Sequence, residues 1–145
     1  MILSAQQLFS DDQAITATAI SENVIDQGAP STSYGAVAAL NDDVGKGCPI
    51  PVLIQVTADF NTLTSLTVTL ETSAAAGLTS PVVLATESIA LADLVAGKQT
   101  FLQFVPNGDT LRYLGVRYTV VGTDPTLGNI TAGISMGNQT NLTGA

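Results

Sequence analysis

A chain of 145 residues with a formal charge of −8 and four basic residues lacks the Lys and Arg clusters that neutralise phosphates, so nucleic acid is excluded as a partner. Histidine is absent, which removes the commonest general base, the commonest transition-metal ligand and the centre of any Ser/His/Asp relay. The length suits one domain that buries about two thirds of its unfolded surface, and the composition, rich in Thr and aliphatic residues with 11% charged, suits pleated strands rather than disorder.

The N-terminus, Met1 to Gln7, has neither the basic start nor the apolar core of a secretory signal, so synthesis in a cytoplasm is expected. Ser4 to Asp11 shows no clean period and reads as a short helical or irregular piece. Strands are expected at Ala14 to Ile20 and Ser33 to Leu40, then at Val52 to Ala58 after the Asn41 to Pro51 turn region. The strict alternation of Ser65 to Glu71 places Leu66, Val68 and Leu70 on one face of a half-buried strand.

Further strands are expected at Val82 to Ile89 and Gln99 to Val105, with a turn or two of helix at Leu91 to Ala96 stopped by Gly97. Period-2 alternation returns at Arg112 to Val121 and Asn129 to Met136, with turns at Asp26 to Pro30, Ala76 to Pro81, Pro106 to Asp109 and Gly122 to Gly128. About eight strands without alternating helices predict an all-β, jelly-roll-like two-sheet sandwich of antiparallel strands, formed as a single domain over 1–145. Apolar runs such as Pro49 to Ile54 fall far short of the roughly 20 residues that span a bilayer, so no membrane partner is expected.

Residues that could carry chemistry are few. Cys48 is the one cysteine, which excludes an intramolecular disulfide and a cysteine metal cluster, and it reads as a small buried or loop thiol. Asp11-Asp12 and Asp42-Asp43 are adjacent carboxylates of the kind that stay solvated, while Glu71, Asp59, Glu87 and Asp93 have no partner identifiable from spacing. Asn41-Asp42-Asp43 with Gly45 and Gly47 supplies oxygen ligands and turns but lacks the spacing of a calcium loop, so no metal or other cofactor is expected. Asn-x-Thr triplets at Asn129, Asn138 and Asn141 are expected by chance in so Thr-rich a chain. Catalysis is therefore not expected. Arg112 shares the face of Leu114 and Val116, placed to snorkel or to pair with a carboxylate. Arg117 shares the opposite face with Tyr113. A Tyr beside an Arg is either an ordinary outer sheet face or an interface hot spot.

Three blocks carry a resemblance: Met1-Ile2-Leu3 leading to Leu8 to Ile20 with Val24 to Asp26, then Arg112 to Gly122, and Gly128 to Ile134. They resemble a family of tailed-bacteriophage capsid cement, or decoration, proteins. The resemblance implies a jelly-roll protein on the outer capsid surface of the virion, oligomerising with itself and clamping neighbouring major capsid subunits, with no active site. A homodimer is favoured and a trimer is an alternative. Gly115 departs from the family pattern, where a larger residue is expected.

An N-terminal arm of about residues 1–13 is one expectation for the partner contact, with Ile2, Leu3, Leu8 and Phe9 as apolar anchors and Tyr113 and Arg117 as a second contact. The alternative is that the four N-terminal side chains fill the domain's own core. Two other functions stay open: a carbohydrate- or receptor-binding sandwich of a phage particle, and a hydrolase using paired carboxylates. The absence of Trp and the presence of only three Tyr disfavour sugar stacking.

Overall fold

A computed structural model of the chain describes residues 3–32, 37, 46–105, 107 and 110–135. It is a sandwich of two antiparallel sheets. One sheet is ordered β1-β9-β4-β7, from β1 (Leu3–Ala14), β4 (Ile50–Ala58), β7 (Gln99–Phe104) and β9 (Asn129–Ser135). The other is β2-β8-β5-β6, from β2 (Ala19–Ile20), β5 (Leu63–Ser73), β6 (Val82–Ala90) and β8 (Tyr113–Gly122), with β3 (Ile25–Asp26) also paired to β8. Because β2 and β3 both lie antiparallel on β8, they act as one interrupted strand. The chain then crosses between the sheets at every connection except the β5–β6 hairpin, the wrapping of a jelly-roll-like sandwich.

The alternating strands point where their pattern predicts. Leu66, Val68 and Leu70 of β5 and Leu114, Val116 and Tyr118 of β8 face Val52, Ile54 and Val56 of β4 across one core. Each such side chain contributes about 1.5–3 kcal/mol of burial. One polar link crosses this core. The Tyr118 hydroxyl donates to Ser10 Oγ at 2.7 Å, and Ser10 donates in turn to Gln13 Oε1 at 2.7 Å, joining β8 of one sheet to β1 of the other. Burial pushes the Tyr118 phenol up, well above the ordinary tyrosine range.

The N-terminal expectation needs correction. Ser4 to Asp11 is neither helical nor irregular, and residues 3–14 are not a free arm: they form β1, hydrogen-bonded along β9. Register shifts between Leu3 and Leu8, Leu8 and Ser10, and Ser10 and Gln13 interrupt its alternation. Consecutive Phe9 and Ser10 are therefore both buried, and Asp11 and Asp12 both exposed, with Asp12 in the left-handed region at φ 53°.

Other boundaries move as well. The Ala14 to Ile20 strand is split by a bend at residues 16–18, and Leu91 to Ala96 yields only a three-residue 3-10 turn, Leu91–Asp93. The Ser33 to Leu40 strand, save the exposed Val37, lies outside the described residues, as do Ile2, Asn41 to Gly45, Asn138 and Asn141.

Candidate interaction surfaces

Of the four N-terminal anchors, Phe9 is 0% exposed and belongs to the chain's own core, so it is corrected from a partner contact to a core residue. Leu3 and Leu8 do something different. Both lean onto Gly133 of β9, where an added Cβ would lie 3.2 Å from Leu8 Cδ1 and 3.4 Å from Leu3 Cδ2. Both remain half-buried on the outward side of the sheet. Register carries this apolar strip across all four strands, as Leu8, Gly133, Leu53 and Phe101 pair in a row.

The outer face of the second sheet carries Tyr113 and Arg117, as their spacing predicts. Arg117 is already engaged. Its Nε donates to both oxygens of Glu71, at 2.9 and 3.0 Å, and its Nη2 to the Leu78 carbonyl at 3.2 Å. Glu71 is 3% exposed and also accepts from the Thr69 hydroxyl at 3.0 Å. The β5–β6 loop thus folds back over the sheet, with Leu78 buried above Gly115 at φ 48°.

A Cβ on residue 115 would stand 2.7 Å from Leu78 Cδ1, so the glycine makes room for this loop. Tyr113 stays half-buried beneath the Arg112 guanidinium, 5.0 Å from its ring centroid. Arg112 meets the carboxylate its position allows, donating to both oxygens of Asp26 at 2.8 Å. Together with the Gly28 N–H, Arg112 lowers the Asp26 carboxyl to about 2.

Asp12, Asp59 and Asp93 are held by local structure. Asp12 accepts from the Thr57 hydroxyl, its N–H donates to Thr131, and its carbonyl accepts from the Asn129 amide, which ties β1, β4 and β9 together. Asn129 is therefore a strand residue with a structural bond. Asp59 accepts from the Ala96 N–H, and Asp93 pairs with Lys98. Among the described residues no group of three or more Cys, Asp or Glu side chains could hold a metal ion, and Cys48 is an exposed loop thiol. Glu87 is exposed on β6, and among the described residues its carboxylate, like those of Asp11, Glu22 and Asp124, pairs with no cation.

A family model described as Bbp16 matches residues 9–134, from the buried Phe9 of β1 to Ile134 of β9. The chain belongs to the Bbp16 family. The family's name points to a bacteriophage protein, in line with the resemblance carried by the sequence blocks. No curated protein matches the chain. The Bbp16 match takes in the Arg117–Glu71 clamp, Tyr113 and all of β6, while Leu3 and Leu8 lie ahead of it.

Proposed function

We propose that this Bbp16 protein is a capsid cement protein: a non-enzymatic sandwich on the outer surface of a tailed-phage head that clamps neighbouring major capsid subunits. The observation that carries the reading is a phage-family match running from the first strand to the last. The fold suits the task. Its two sheets enclose one apolar core, and its outer faces offer apolar side chains at Leu3, Leu8 and Phe101 and an aromatic one at Tyr113.

Stabilisation follows from mass action, since a protein that binds the assembled shell and not its dissociated subunits favours the shell. A homodimer on a two-fold axis would grip two capsomers and gain from effective concentration. Co-sedimentation with purified heads tests the reading. Saturable binding in hundreds of copies per head is expected, and recovery only in the soluble lysate would overturn it.

A further inference from the structure

Strand β6 ends its sheet, and β7 ends the other on the same side of the sandwich. Among the described residues no strand pairs with the far side of β6, whose outward N–H and C=O groups are the kind of template an added strand uses. Natural edges are blunted by charges, Pro or bulging. This one, nine residues long, has neither Lys nor Pro, one ladder irregularity near its start, and a single charge, Glu87, opposite the core residue Val68.

Two hollows lie along the β6–β7 seam. The apolar one, about 210 Å³, is lined by Val82, Val83, Phe104 and Val105, and the first two are each 51% exposed. Thr110 also lines it, 5% exposed, and carries a buried hydroxyl with no hydrogen-bond partner. The polar hollow, about 220 Å³, is lined by Glu87, Ser88, Asp93, Lys98 and Thr100. Lys98 is held there by Asp93 at 2.8 Å, which leaves Glu87 without a cation.

We propose that the β6 edge receives an extended segment of the shell protein as an added strand. The segment's apolar side chains fill the Val82–Val83 end, and a Lys or Arg lies about 13 Å further along, opposite Glu87. This deepens the cement reading and rests on it for the identity of the partner. Backbone pairing supplies affinity, and the Thr110 hydroxyl gains a partner. Charge argues against a second copy in this place: of four basic residues, Lys98, Arg112 and Arg117 are already in ion pairs. Full-overlap pairing of β6 with itself, centred on Thr86, would also set two Glu87 carboxylates on diagonal neighbouring positions, where like charges repel.

The test is a photo-crosslinking residue at Val83 or at Thr86 of the full chain, introduced during phage growth, with Leu127 at a distant, exposed loop as the control. Sequencing the crosslinked peptide is expected to return one shell-protein segment with a basic residue, from β6 positions alone. Glu87→Lys, at an exposed residue paired with no cation, should reduce the crosslink by about five-fold, the most an exposed ion pair gives. Replacing the segment's basic residue by Glu should restore it. A crosslink only to a second copy, no crosslink, or equal yield from Leu127 would overturn the proposal. Head binding is scored separately. Heads that bind without a β6 crosslink refute the edge alone, and a β6 crosslink to another phage protein without head binding refutes the cement reading and the shell protein as occupant.

Discussion

Replacing Arg117 by Met removes the guanidinium and leaves the Glu71 carboxylate, 3% exposed, with one hydroxyl donor from Thr69. Stripping one partner from a buried ion pair costs about 3–5 kcal/mol. The Arg117 side chain is 29% exposed, so the low end applies, about 3 kcal/mol. For a chain of this size that corresponds to a fall of roughly 6–12 °C in Tm.

The assay is urea unfolding followed by far-UV circular dichroism, with tyrosine emission as a second probe since the chain has no Trp. Glu71→Gln with Arg117→Met should recover most of the loss, because no buried charge then lacks a partner. A loss below about 1 kcal/mol for Arg117→Met, the value of a surface pair, would refute the clamp. So would a double variant as unstable as the single one.

Tyr118→Phe deletes the inter-sheet hydroxyl while Ser10 keeps its bond to Gln13, so a loss of about 1 kcal/mol is expected in the same unfolding assay. Gly128→Ala places a Cβ 2.3 Å from the Phe60 ring at φ +135°, and should lower Tm well beyond Gly97→Ala, where the backbone is also left-handed but the space is open. Asp26 titrates at about 2 in the folded chain, below its ordinary value near 3.9, so its stabilisation is present above about pH 4 and is lost as pH falls through about 2. The Tm gap between wild type and Asp26→Asn should therefore close between about pH 5 and pH 2, and narrow in high salt.

Strands β5, β8 and β9 are legible in the sequence because each buries one face, and a pleat of period 2 turns that burial into alternation. Strand β1 is not legible for the same reason in reverse. Its bulges put Phe9 and Ser10 inside together and Asp11 and Asp12 outside together, so no single period survives. β3 was hidden as well, being two residues that run into what reads as a turn from Asp26.

The candidate surfaces divide along that line. Arg117 and Tyr113 fall on one outward face from their spacing alone, but that Arg117 is engaged depends on Glu71, 46 residues away. No local pattern encodes that partner, since the register setting Thr69 beside Arg117 belongs to the folded sheet. The same holds for the reason residue 115 is a glycine, which appears only where the β5–β6 loop lays Leu78 above it.

The sequence by itself determined the all-β class, the inward faces of the alternating strands and a composition without histidine chemistry, because these depend on residue type and on a period of two. The tertiary structure alone decided the rest. It drew residues 3–14 into a sheet, assigned Glu71 its cation and left Glu87 without one, and set β6 at an edge, because each depends on which distant strands become neighbours.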